Sequence, residues 1–120
     1  MKYKTCVSIA ENSPKKIKIK LKIALKKSDY VEVRLDFLKI EQIPNVLEII
    51  KKDLDKVVCT LRPTNEGGKF LGNEKERISI IKLIAEYNPF LLDIEFNTLK
   101  KNKEWVKYLK IGRASCRERV

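Results

Sequence analysis

The fold is decided by the stretch Tyr30-Val31-Glu32-Val33-Arg34-Leu35-Asp36-Phe37. Its β-rich composition predicts a strand, and side chains alternate between the two faces of a strand. One face therefore carries Tyr30, Glu32, Arg34 and Asp36, whereas the other carries only apolar side chains. We expect the apolar face to pack against helices and the opposite face to hold charged groups.

Strand and helix patterns alternate along the chain on both sides of this stretch. The predicted strands cover residues 3–10, 30–37, 56–61 and 90–96. The first helix is expected to follow Ser13 as cap and Pro14 in its first turn. Further helices are predicted over 43–52, 73–87 and 97–109, the last capped by Asn97 or Thr98. A strand-helix order repeated in this way is typical of parallel βαβ units.

The polar residues distinguish between the two α/β folds that fit this order. Both faces of a doubly wound sheet are covered by helices, so its strands are almost continuously apolar. Here the strands carry charges, namely Glu32, Arg34 and Asp36 on the second, Arg62 after the third, and Asp93 and Glu95 on the fourth. A (β/α)8 TIM barrel with a polar interior explains them better. Because such a barrel takes about 250 residues, we predict that residues 1–110 are the first four units of one.

Composition excludes several kinds of chemistry. The chain has no histidine and three well-separated cysteines, so we expect no metal site and no Ser/His or Cys/His nucleophile. Cys6 and Cys59 lie in apolar strands and are expected to be small core residues. No stretch is long and apolar enough for a membrane span, and no secretion signal is visible, which predicts a cytoplasmic protein without membrane contact.

The charge of +11 raises the question of nucleic-acid binding. Most of it comes from lysines that alternate with apolar residues at helical spacing, as on the solvent-facing side of an amphipathic helix. No aromatic residues interleave with them, and no nucleic-acid motif accompanies them. We therefore predict no nucleic-acid partner, although a basic α/β nucleic-acid-binding module stays an alternative.

The last ten residues, Ile111 to Val120, differ from the rest of the chain. Three of the six arginines lie here and no lysine does, whereas the preceding residues are rich in Lys and Ile. A DNA string that encodes these ten residues resembles a common sequencing adapter. We therefore predict that residues 111–120 are not native, and we exclude them from the predicted fold. A natural basic tail is the alternative.

Three groups of residues are candidates for function. The Glu32, Arg34 and Asp36 face is either an ion-pair ladder or a site for hydroxyls and a carboxylate. Gly67-Gly68 either brings N–H groups to an anion or forms a flexible loop. Asp93 and Glu95 are either acid/base or cation-binding carboxylates or, as we favour, partners for Arg34 and Arg62.

Together these residues resemble one family. The chain is similar to type I 3-dehydroquinate dehydratase, in its short archaeal form, over residues 1 to about 110. Four motifs carry the resemblance in order: Cys6-Val7-Ser8-Ile9, Glu32-Val33-Arg34-Leu35-Asp36, Thr60-Leu61-Arg62 running into Glu66-Gly67-Gly68, and Leu92-Asp93-Ile94-Glu95. The Glu-x-Arg-x-Asp strand followed by Thr-x-Arg and Glu-Gly-Gly is the specific combination.

The resemblance implies a lyase of the shikimate pathway for aromatic amino acid biosynthesis. It implies that 3-dehydroquinate is dehydrated to 3-dehydroshikimate through a lysine Schiff base, without cofactor or metal. By position, the substrate would be bound by Ser8, Glu32, Arg34 and Arg62, while Glu66 would support the catalytic histidine. The supporting groups would be Asp36, Asp93 and Glu95.

The resemblance also implies that essential groups are missing from this chain. In the family, the catalytic histidine and the Schiff-base lysine come from the second half of the barrel, and no lysine here lies at the matching position. We therefore expect this chain to be inactive alone, although the full-length enzyme is expected to be a homodimer. The fragment of another TIM-barrel enzyme is the remaining alternative.

Overall fold

In the computed structural model, which describes residues 5–102, 104 and 116–119, a parallel sheet forms the centre of the fold. Its strands are β1 (Cys6–Ile9), β2 (Tyr30–Arg34), β3 (Val57–Thr60), β4 (Leu91–Glu95) and β5 (Cys116–Arg119). They lie side by side in chain order, and each pair of neighbours is parallel. This order without reversal differs from a doubly wound sheet, whose strand order changes direction at a switch point.

The connecting helices are α1 (Pro14–Leu25), α2 (Ile43–Ile49), α3 (Glu74–Glu86) and α4 (Phe96–Lys101). The core between sheet and helices contains Val31, Val33, Cys59, Leu92 and Ile94 from the strands. Among the helical residues buried there are Ile17, Leu21, Val46, Leu47, Ile81 and Ile84. The α/β class and the alternation of β2 are thereby confirmed. No helix in the described part of the chain has the length and apolar character needed to cross a membrane.

Local sequence accounts for the helix starts. Ser13 caps α1, accepting a hydrogen bond from the Lys16 amide, and Pro14 occupies the first turn as predicted. At α3, Asn73 Oδ1 accepts from the Glu76 amide at 2.8 Å, and Glu76 Oε1 accepts from the Asn73 amide at 2.9 Å. This capping box satisfies two backbone donors that the helix itself leaves without partners.

Other predicted boundaries were wrong. β2 ends at Arg34, because Leu35–Phe37 form a 3-10 turn in which the Leu38 amide donates to Leu35 O at 3.1 Å. α2 stops at Ile49 and is followed by a 3-10 segment over Lys51–Lys56. α4 begins at Phe96, directly after β4, so Asn97 and Thr98 lie inside the helix rather than at its cap.

The remaining predicted strands are slightly shorter than expected. β1 covers Cys6–Ile9, while residues 3 and 4 of its predicted range lie outside the described residues, as does most of the predicted fourth helix beyond 102. Cys6 is exposed, so its prediction as a core residue was wrong: it shares the open face of the sheet with Ser8. Cys59 is buried as predicted, and burial raises the pKa of its thiol to about 12.

The C-terminal residues contribute β5, which was not part of the predicted fold. Cys116–Arg119 pairs with β4 in a register that places Leu92 opposite Cys116 and Glu95 opposite Arg119. Four of the ten residues excluded from the sequence-based fold thus lie in the sheet. That these ten residues are not native stays a prediction.

Candidate functional site

A chain of side-chain hydrogen bonds crosses the face of the sheet opposite the core. Ser8 on β1 pairs in register with Glu32 on β2, and its Oγ donates to Glu32 Oε1 at 2.9 Å. Thr60 Oγ1 on β3 donates to Glu32 Oε2 at 2.6 Å. Both carboxylate oxygens are therefore fixed by hydroxyls. Sequence analysis gave Thr60 no role in the site, although its spacing from Arg62 in Thr-x-Arg places the two on one side of an extended chain.

Arg34 is held at the end of β2 by a bidentate ion pair with Asp36. Its Nε donates to Asp36 Oδ1 at 3.0 Å and its Nη2 to Oδ2 at 2.8 Å, while the Lys69 amide also donates to Oδ2 at 3.0 Å. The hydrogen bond to Asp36 raises the pKa of Arg34, against the opposing effect of burial. The predicted ladder thus exists only between Arg34 and Asp36, because Glu32 takes hydroxyl partners instead.

Arg62 lies beyond the end of β3 and is held less tightly. Its Nη2 lies 3.8 Å from Asp93 Oδ2, its side chain is 13% exposed, and its Nε has no hydrogen-bond partner in the described part of the chain. The predicted pairing of Arg62 with Asp93 is confirmed. The predicted involvement of Arg34 and Glu95 in the same pairing was wrong, because Arg34 pairs with Asp36 and Glu95 pairs with Arg77.

Arg77 on α3 is a buried residue that sequence analysis missed. It is 1% exposed and donates from Nη1 to Glu95 Oε1 at 2.7 Å and to the Leu61 carbonyl at 3.0 Å. Its Nη2 also contacts Thr98 Oγ1 and donates to Glu74 Oε1. Its helical spacing could have predicted the burial, because Arg77 lies on the same face of α3 as the buried Ile81, Ile84 and Ala85.

Glu95 is a buried carboxylate whose two oxygens differ. Oε1 accepts from Arg77, whereas Oε2 has no hydrogen-bond partner within the described residues. Burial raises the pKa of Glu95, and the charge of Arg77 opposes this shift only in part. Glu95 lines a small cleft together with Asn65, Glu66, Arg77, Thr98 and Lys101.

The loop after β3 is a tight turn. Gly67 has φ +82°, a left-handed conformation that glycine adopts without strain, and its amide donates to Thr64 O. A Cβ at Gly68 would lie 2.0 Å from Arg62 O, and the Gly68 amide donates to Pro63 O at 2.9 Å. Both N–H groups are used inside the turn, so neither an anion cradle nor an unstructured loop describes it. Glu66 is left exposed at the cleft.

The predicted site residues thus fall into three local groups. Ser8 and Glu32 are in direct contact, Arg34 is anchored by Asp36, and Arg62 faces Asp93. All belong to the face of the sheet that does not pack on the helices, at or near the carboxyl ends of the strands. A fixed carboxylate and two nearby arginines suit a ligand that carries hydroxyls and a negative charge. Among the described residues, no group of His, Cys, Asp or Glu side chains is arranged to hold a metal ion.

Fold and site together define an α/β protein with polar and charged side chains at the carboxyl ends of parallel strands. A model of the type I 3-dehydroquinase family matches residues 5–115. The chain therefore belongs to the type I 3-dehydroquinase family.

Two curated relatives agree with this assignment, and one solved structure agrees with the fold. The 3-dehydroquinate dehydratase of Methanocaldococcus jannaschii is 34% identical over 108 residues, which cover 86% of this chain and 45% of the relative. That of Lactococcus lactis is 40% identical over 75 residues, which cover 59% of this chain and 32% of the relative. The crystal structure of 3-dehydroquinate dehydratase from Geobacillus kaustophilus superposes with a TM-score of 0.80 at 19% identity, over 98% of this chain and 49% of that one. The chain thus spans about half the length of these relatives or less.

Proposed function

We propose that this chain supplies the substrate-binding half of a 3-dehydroquinate dehydratase active site. The observation that carries the proposal is the Ser8–Glu32–Thr60 hydrogen-bond chain, which fixes a carboxylate on the sheet face that also carries Arg34 and Arg62. 3-Dehydroquinate carries hydroxyls and a carboxylate, which are the groups that such a site can bind.

Each group has a distinct part in the proposed site. Glu32 and Arg34 hold ring hydroxyls, with Ser8 beside them, and Asp36 keeps the Arg34 guanidinium in one orientation. Arg62 adds a charge-assisted contact, for which its partly exposed side chain is available. Asp93 and Glu95 support the arginines, and Glu66 stands at the rim of the cleft, where a histidine from elsewhere can contact it.

We also propose that residues 1–110 form the first four units of a (β/α)8 barrel. The one-directional strand order and the polar face opposite the helices support this arrangement, because a closing barrel needs both. In this proposal residues 111–120 are not native, and the complete enzyme is a homodimer.

The proposed reaction needs a catalytic lysine and histidine that the family resemblance assigns to the half of the barrel outside this sequence. Dehydration through an imine requires a lysine to attack the ketone and a base to remove the adjacent proton. The chain contains no histidine, and none of its lysines is assigned to the imine. We therefore expect the chain to bind 3-dehydroquinate without turning it over.

An NMR titration of the 120-residue chain with 3-dehydroquinate tests this proposal. We expect shifts at Ser8, Glu32, Arg34 and Arg62 and none on the solvent face of α1. Arg62→Gln should weaken binding by about tenfold, as expected for a lost charge-assisted contact. Lys52→Gln removes the same charge from a distant surface and should leave binding unchanged. Absence of binding, or equal effects of the two variants, would refute the proposed site.

A second experiment tests the half-barrel. The chain is mixed with the C-terminal half of the Methanocaldococcus jannaschii relative, and the formation of 3-dehydroshikimate is followed by its absorbance. We expect turnover only in the mixture and its loss with Glu32→Gln. Turnover by the chain alone would contradict the assignment of the catalytic groups to the other half.

A further inference from the structure

Two buried carboxylates and two arginines meet where β3 and β4 end. Asp93 and Glu95 lie on the same face of β4, each 2% exposed. Arg77 binds Glu95 at 2.7 Å, whereas Arg62 approaches Asp93 only to 3.8 Å. Of the two guanidinium groups, Arg62 is therefore the one that is free to take an additional anionic partner.

Arg62 lies near the carboxylates at the end of β4, since its Nη2 contacts Asp93. Thr60 on β3 pairs with Asp93 on β4, and two residues further along the two chains are Arg62 and Glu95. A buried carboxylate without a countercharge is strongly destabilised, so it attracts the nearest available cation. Without Arg77, the cations near Glu95 within the described residues are Lys101 of the same cleft, Arg119 opposite it on β5 and Arg62. Lys101 is exposed and Arg119 belongs to the residues predicted not to be native, so we take Arg62, which already contacts the neighbouring Asp93, as that cation.

We propose that Arg77 is a positioning residue that keeps Arg62 available for the substrate by holding Glu95. The proposal rests on the proposed function, because it assigns Arg62 a ligand. Arg77 can neutralise Glu95 without occupying the open side of the sheet, because it reaches the carboxylate from α3 and is itself nearly inaccessible to solvent. The Arg62 guanidinium then stays on the open side of the sheet.

Arg77 also contacts the backbone next to Arg62. The same Nη1 that binds Glu95 donates to the carbonyl of Leu61, the residue before Arg62. Arg62 O in turn accepts from the Phe70 amide at 3.2 Å, which ties the turn that carries Glu66 to the same point. The buried guanidinium thus has two contacts through which it could act on Arg62, the Glu95 charge and the Leu61 main chain, and we assign the effect on binding to the first.

A charge-rescue experiment separates these electrostatic and structural effects. Dissociation constants for 3-dehydroquinate are measured by calorimetry for the wild-type chain, Arg77→Met, Glu95→Gln and the double variant. Arg77→Met should weaken binding by about tenfold, because Glu95 then competes for Arg62. The double variant should recover to within about threefold of Glu95→Gln, because the competing charge is gone. Lys75→Met, which removes an exposed lysine from the same helix, should have no effect.

The outcomes distinguish the alternatives. If the double variant binds tenfold more weakly than Glu95→Gln, Arg77 acts only as a structural support and the proposal is wrong. This comparison holds even if Arg77→Met alone does not fold, because removal of both charges leaves no unpaired buried carboxylate.

A ligand-free measurement keeps the inference separate from the proposed function. The NMR signal of Arg62 Nε–Hε should shift in Arg77→Met and return in the double variant. If the wild-type chain does not bind 3-dehydroquinate, the proposed function fails while this signal still decides the role of Arg77. An Arg62 signal unchanged by Arg77→Met would overturn the inference.

Discussion

The two faces of the sheet differ in composition and in what holds their side chains. On the helix side, Val31, Val33 and Leu92 are completely buried among apolar neighbours. On the opposite side, Glu32 and Arg34 are held by directed hydrogen bonds and keep partial access to solvent. The first face gains free energy from removing apolar surface from water, which requires no particular orientation. The second depends on geometry, which is what recognition of a ligand requires.

The largest expected effect lies on the apolar face. Leu92→Ala removes a completely buried side chain from the core and should lower the free energy of unfolding by about 2–5 kcal/mol. Leu91→Ala is a matched control on the adjacent residue of β4, which points to the other face and is only half-buried. Urea denaturation followed by circular dichroism should show less than half the loss for Leu91→Ala. Equal losses would contradict the division of the sheet into two faces.

The turn after β3 should show the next largest loss of stability. Gly68→Ala forces a Cβ against the Arg62 carbonyl, so we expect it to cost about 1–3 kcal/mol and to displace Arg62. Gly67→Ala has open space around it and only its positive φ to accommodate, which costs about 1 kcal/mol. Thermal unfolding of both variants checks the order, and a larger loss for Gly67→Ala would show that the turn is not packed on Arg62.

A smaller effect is expected from the pH dependence of the polar face. Burial raises the pKa of Glu95 above its ordinary value of 4.5, so folding favours the protonated form. Its contribution to stability is therefore complete below the unfolded-state pKa and is lost as the pH rises through the folded-state pKa. As the pH rises over this interval, the free energy of unfolding of the wild type, measured by urea denaturation, should fall relative to that of Glu95→Gln. A difference that stays constant with pH would show that Arg77 compensates the burial of Glu95 completely.

The smallest change in stability is expected for a surface contact away from both faces of the sheet. Tyr87 OH contacts Glu48 at the surface, where Lys51 also pairs with the same carboxylate and lowers its pKa. Exposed contacts of this kind contribute little, because water and salt screen them. Tyr87→Phe should leave the urea midpoint unchanged within error. A clear decrease would mean that this contact helps to join α2 to α3.

The parts of the fold that follow from local sequence were predictable. The alternation from Tyr30 to Arg34, Pro14 after its cap and Asn73 at the start of α3 each depend on neighbouring residues in the chain. The end of β2 was not predictable from local sequence. Asp36 turns back to bind Arg34 and the Lys69 amide, and the second contact depends on a loop distant in sequence. Arg77 and Thr60 were missed for the same reason, since their partners come from other elements.

The Glu32→Gln variant tests most directly the claim that one face builds the fold and the other builds the site. The free energy of unfolding and the affinity for 3-dehydroquinate are measured on the same sample. We predict that stability changes by no more than about 1 kcal/mol, because one hydroxyl can still donate to the amide oxygen and the other can turn to accept from the amide NH2. Binding should be lost. Retained binding together with a large loss of stability would show that Glu32 is a structural residue and would contradict the account.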